Sequence, residues 1–221
     1  MDPNWERVAH ALAGEGVSVD PAELAAAERR AKHALDRPAW GLQTDSARGE
    51  SYFHMTLALA GIERSPRTDR ALAEVRAYHA RHNLWESVLS GVPAALERLR
   101  GLGLQLVVVS NANGTLKTHL ARMGLATSFD HVLDSHEEGV EKPDPDFFRL
   151  ALQRAGARTA TTLHVGDLYH VDVMGARAAG LRAVLLDEAD LYDGIDCPRV
   201  ASLGVLAAQL ASGSPVGLAA G

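Results

Sequence analysis

Four short apolar runs rich in β-branched residues, at 104–109, 131–133, 161–165 and 182–186, alternate with helical patterns at 116–123, 146–155 and 172–179. A strand, a helix and another strand at this spacing return to one sheet through a right-handed crossover. The second part of the chain is therefore expected to be an α/β layer structure, with helices on both faces of a parallel sheet. Residues 5–83 carry a different period: Trp5, Val8, Ala9 and Leu12 fall on one helical face. Asp20-Pro21 and Ser65-Pro66 each place a capping side chain before a proline suited to a first turn, and Gly61 closes the segment 52–60. This stretch reads as a bundle of about four helices without a strand. The expected organisation is a helical domain over 1–89, an α/β core over 90–210 and a frayed tail over 211–221.

Composition narrows the partners. At 221 residues the chain can bury a core without disulfides or a structural metal. Its 22 Lys+Arg against 28 Asp+Glu give a formal charge of −6, which leaves no basic footprint for nucleic acid or an anionic membrane. No apolar run approaches the ~20 residues of a membrane helix. Met1-Asp2-Pro3-Asn4-Trp5 lacks the basic and then apolar order of a signal peptide. The single cysteine, Cys197, has no partner within the chain, which fits a reducing cytoplasm.

In an open parallel sheet, ligands bind beyond the carboxyl ends of the strands. The sequence sets Ser110-Asn111, Asp134-Ser135, Gly166-Asp167 and Asp187 there. Asp167 and Asp172 flank a glycine turn that leads into a helical pattern. Two hard carboxylates with room for water suit Mg²⁺, and equally Asp172 caps a helix while Asp167 sits in a polar turn. Lys142, between Glu141 and Pro143-Asp144-Pro145, is a stiffly held ammonium able to neutralise an anion, or a solvated lysine ahead of a helix. Ser110-Asn111-Ala112-Asn113-Gly114 offers a hydroxyl and backbone N–H groups to an anion, or forms an ordinary turn. The ten histidines form no zinc-protease pattern, and only His170 is expected near this site. No Walker or dinucleotide-binding glycine signature occurs.

Val107-Val108-Val109-Ser110-Asn111, then Lys142-Pro143-Asp144-Pro145 with Phe147-Phe148, then His164-Val165-Gly166-Asp167-Leu168-Tyr169-His170-Val171-Asp172 with Gly175-Ala176-Arg177 together resemble the haloacid dehalogenase (HAD) superfamily of hydrolases, in its phosphatase-like branch. The resemblance runs over residues 91–210 and implies a Rossmann-like core. Residues 5–85 resemble the family's inserted helical cap, which closes over the site. It implies that Ser110 and the Asn111 amide hold a transferring phosphoryl group, that Lys142 balances the charge of nucleophile and phosphate, and that Asp167 and Asp172 hold Mg²⁺. The acceptor it implies is an aspartate that forms a covalent aspartyl phosphate, with a second aspartate as general acid and base.

That nucleophile motif, an apolar strand ending Asp-x-Asp-Gly-Thr, is not found here. Asp2 has no strand before it, and Asp187-Glu188-Ala189-Asp190 lacks the second aspartate and the Gly-Thr. The central strand, expected between those leading into Ser110 and Asp167, is thus expected to be missing. A start assigned too far downstream is the favoured explanation, ahead of a truncation or a pseudoenzyme. The implied function is Mg²⁺-dependent hydrolysis of a small phosphorylated metabolite, with the chain as written nearly inactive and Mg²⁺ weakly held. The alternatives are a non-catalytic phosphate-binding or regulatory protein and a 2-haloacid dehalogenase.

Overall fold

The N-terminal helices begin where the chain supplies acceptors for otherwise orphaned N–H groups. Asn4 accepts from the Arg7 N–H to open α1 (Trp5–Gly14). Asp20 accepts from Ala22 to open α2 (Pro21–Leu35), and Ser65 and Thr68 form a reciprocal capping box at the start of α5 (Pro66–His82). Between them lie α3 (Pro38–Gly41) and α4 (Asp45–Leu59). The computed structural model describes residues 1–216 apart from Leu42 and Thr44. Trp5, Val8, Leu12, Leu24, Phe53, Leu57, Leu72 and Leu84 pack into one core. Buried Glu28 is satisfied within the bundle by the Tyr52 hydroxyl at 2.9 Å and the Lys32 ammonium at 2.7 Å. One feature departs from the all-helical expectation: Asp2 and Ser87 form an isolated antiparallel bridge.

The chain divides into two units, Met1–Val88 and Leu89–Gly221. The second follows the expected alternation: α6 (Val92–Gly101), β1 (Val107–Ser110), α7 (Leu116–Arg122), β2 (His131–Asp134), α8 (Ser135–Glu138), α9 (Pro145–Ala155), β3 (Leu163–Gly166), α10 (Met174–Ala178), β4 (Arg182–Leu186), β5 (Arg199–Val200) and α11 (Leu203–Ser212). A π turn, Tyr169–Val173, leads into α10. All the strand pairs are parallel. Several boundaries differ from the sequence reading. β1 begins at Val107 because Leu104 is exposed, residues 159–161 form a 3-10 turn ahead of β3, and α11 runs two residues into the segment read as tail. Residues 217–221 of that tail lie outside the described residues.

The strands do not form one continuous ladder. β1 pairs with β2 in one sheet, and β3, β4 and β5 form another, so among the described residues β1 and β3 each keep one unpaired edge. Helices nonetheless bridge the two sheets. On α9, Phe147 packs with Leu133, Val107 and Val109, while its neighbour Phe148 packs with Val173, Ala183 and Leu185. On α11, Leu203 and Leu210 join both the cluster of Leu99 and Leu106 and that of Val184 and Val165. β4 alternates between these layers, as a two-residue period requires.

Candidate active site

The polar groups at the four strand ends separate into two kinds. Asp134, fully buried, accepts from the N–H groups of Gly114 (3.0 Å), Leu116 (3.2 Å) and His136 (3.0 Å). Ser135 Oγ accepts from Ala112 N–H at 3.0 Å. Asp187 accepts from Leu191 and Tyr192 N–H groups and from Arg199. These carboxylates hold loops: a buried N–H left without an acceptor costs about 1–3 kcal/mol. The ends of β1 and β3 instead meet through Lys142.

Lys142 stands in the segment before α9. Asn111, just beyond β1, grips its backbone with both ends of the side-chain amide: Asn111 Nδ2 donates to Lys142 O at 2.9 Å, and Lys142 N–H donates to Asn111 Oδ1 at 2.8 Å. The Lys142 ammonium donates to Asp172 Oδ1 at 2.7 Å, with the two side chains 14% and 3% exposed. Leu168 N–H donates to Asp172 Oδ2 at 3.0 Å, and His164 Nε2 lies 3.4 Å from Oδ1. Burial alone would raise the Asp172 pKa, but the Lys142 charge and the His164 ring outweigh it and hold the carboxyl well below the usual carboxylate range. Ser110 Oγ sits 3.5 Å from Asn111 O, a contact at the outer limit of a hydrogen bond.

The local backbone explains how Asp172 arrives there. The π turn folds the chain back over β3, and the Asp172 carboxyl lies against Gly166, where a Cβ would come within 2.2 Å of Asp172 Cγ. Only a glycine admits that approach. His164 is two residues before Gly166 and so shares its face of the strand. Its ring meets Phe148 edge to face, with centroids 4.9 Å apart. The expectation that His170 alone among the histidines lies near the site is thus corrected: His164 contacts Asp172. The HisValGly alternation carried that signal, because a side chain opposite a glycine gap faces whatever fills the gap. Asp172 itself lies inside the π turn and does not cap a helix. Asp167, half-buried, is the first residue beyond β3.

Asp167 and Asp172 are the carboxylates that the sequence offers to Mg²⁺. Among the described residues no group of three or more His, Cys, Asp or Glu side chains is arranged to hold a metal. Both Asp172 oxygens are already matched, Oδ1 by an ammonium. As arranged, this pair alone does not fit a resident Mg²⁺.

Two parallel sheets whose carboxyl ends meet at an Asn-clamped lysine and a buried aspartate define an α/β core with a polar centre. The chain belongs to the haloacid dehalogenase-like hydrolases, whose family model matches residues 4–180. It is 42% identical over 109 residues to the haloacid dehalogenase-like hydrolase domain-containing protein 3 of Mus musculus, covering 49% of this chain and 43% of that protein. It is 34% identical over 152 residues to a ribulose-1,5-bisphosphate 5-phosphatase of Halopiger xanaduensis, covering 68% of this chain and 64% of that one. The chain thus spans less than two thirds of either relative's length. Among solved structures, the HAD-hydrolase YfnB from Bacillus subtilis, bound to magnesium, superposes with a TM-score of 0.65 at 19% identity, over 94% of this chain and 93% of that one. Among the described residues no helix is long and apolar enough to cross a membrane.

Proposed function

We propose that this hydrolase acts on phosphate monoesters of small metabolites, and that its acceptor carboxylate enters on a strand between β1 and β3. The observation that carries the reading is the convergence of Ser110-Asn111, Lys142 and Asp172, three segments distant in sequence, at the carboxyl ends of two parallel sheets. In this reading Ser110 Oγ and the Asn111 backbone N–H donate to the phosphoryl oxygens. The Lys142 ammonium exchanges part of its contact with Asp172 for the incoming anion, so that charge is balanced without a reorganising solvent shell. The unpaired edges of β1 and β3 support the strand: apolar strands with free edges accept backbone partners readily. The helices of Met1–Val88 are the cap in this reading, and the cytoplasm is its compartment. The Halopiger relative's name supports a sugar-phosphate substrate class.

The test assays the 221-residue chain beside a version extended by the codons preceding Met1 in its gene, on p-nitrophenyl phosphate, sugar phosphates and 2-haloacids. Phosphate release by the extended form, at most a trace from the 221-residue chain, and loss of both with Lys142→Met are expected. Halide release without phosphatase activity would overturn the reading in favour of a dehalogenase. Phosphate binding without turnover in both forms would overturn it in favour of a binding protein.

A further inference from the structure

We infer that the Asn111 side chain is a positioning residue for Lys142, fixing the peptide from which the ammonium reaches into the site, and that it is not itself a ligand for the anion. The inference rests on the phosphohydrolase reading only for what Lys142 does once placed.

The geometry is a matched pair. Asn111 Nδ2 donates to Lys142 O at 2.9 Å and Asn111 Oδ1 accepts from Lys142 N–H at 2.8 Å, across 31 positions of sequence. One side-chain amide thereby supplies what an adjacent strand would supply to a residue of a ladder. Among short side chains only asparagine carries a donor and an acceptor at this reach. Aspartate lacks the donor, serine has a single polar atom, and glutamine is one methylene longer. The Lys142 segment has two other fixed neighbours. Asp144 N–H donates to Glu141 O at 3.0 Å, closing a turn into α9. The α10 backbone at Gly175 packs so closely that a Cβ there would lie 2.8 Å from Pro143 O. The clamp is thus a polar tie between this segment and the end of β1.

The consequence concerns the ammonium. A lysine side chain has four rotatable bonds, and holding its tip costs up to about 2 kcal/mol of rotamer entropy. A backbone free to shift would add to that cost. With the peptide held, the ammonium lies 2.7 Å from Asp172 Oδ1 and the side chain starts from a fixed point when it turns toward an anion. Asn111 then contributes to anion binding through its backbone N–H, while its side chain works through Lys142.

The chain has three lysines, Lys32, Lys117 and Lys142, so ¹⁵N labelling at lysine Nζ gives a spectrum with three ammonium signals at most. The signal of Lys142, whose side chain is 14% exposed, assigned by its loss in Lys142→Arg, should be protected from exchange in the native chain. In Asn111→Ala, and in the isosteric Asn111→Asp that keeps the acceptor and removes the donor, this protection should be lost while Lys32 is unchanged. Calorimetry with inorganic phosphate should show about a tenfold weaker affinity in Asn111→Ala, the upper range for lost hydrogen bonds, and no weakening by Asn111→Ala in a chain that already carries Lys142→Ala. A Lys142 signal unaltered in both variants overturns the inference. So does phosphate binding that Asn111→Ala weakens as much with Lys142→Ala as without it. If the native chain shows no saturable phosphate binding while the ammonium still loses protection, the clamp stands and the phosphohydrolase reading falls.

Discussion

Lys142→Met keeps the length of the side chain and removes its charge. The ammonium stands 2.7 Å from Asp172 Oδ1, with the side chains 14% and 3% exposed, so the change strands a buried carboxylate. An exposed ion pair contributes about 0–1 kcal/mol, whereas removing one partner of a buried pair costs about 3–5 kcal/mol. Asp172 keeps the Leu168 N–H at 3.0 Å and His164 at 3.4 Å. Those contacts place the expected loss at the lower end, about 3 kcal/mol. For a chain of this size that lowers the melting temperature by roughly 6–12 °C. The assay is far-UV circular dichroism, because all three tryptophans, Trp5, Trp40 and Trp85, lie in Met1–Val88 and none in the second unit. The double variant Lys142→Met/Asp172→Asn removes the stranded charge and should recover most of the loss. A single-variant loss below about 1 kcal/mol would mean a solvated pair. A double variant as unstable as the sum of the singles would mean that the two side chains act independently. Either result refutes the reasoning.

Gly166→Ala would place a Cβ 2.2 Å from Asp172 Cγ, displacing the carboxyl. A loss of about 1–3 kcal/mol in urea unfolding is expected, and an unchanged midpoint would show that Asp172 moves freely. The depressed pKa of Asp172 has a defined sign in pH dependence. A carboxyl whose folded pKa lies below its unfolded one contributes in full above the unfolded value, about 3.9, and loses that contribution as pH falls toward the folded value. The native chain should therefore lose more stability than Asp172→Asn between about pH 6 and pH 3, and equal losses would contradict this. Mg²⁺ alone should bind weakly, since Asp172 is already paired with an ammonium. A dissociation constant below about 10 µM in calorimetry would show a site that the two aspartates do not account for.

Local chemistry made much of this protein legible from its sequence. The β-branched runs, the Asp20-Pro21 and Ser65-Pro66 helix starts and the polar residues after each strand are signals carried by neighbouring side chains, and the elements form where those signals lie. The strings holding Ser110, Lys142 and Asp172 were readable for the same reason. Their mutual contacts were not. Lys142 meets Asp172 across 30 positions and Asn111 across 31, and such pairs depend on which strands and loops become neighbours. Asp134 and Asp187 also follow strands in the sequence, and only the fold assigns them to loop N–H groups. His164 became a site residue because the π turn folded over its face of β3. The division into two sheets was likewise decided in three dimensions. Ladder hydrogen bonds join backbone groups that every residue carries, so an apolar run declares itself a strand without declaring which edges find a partner.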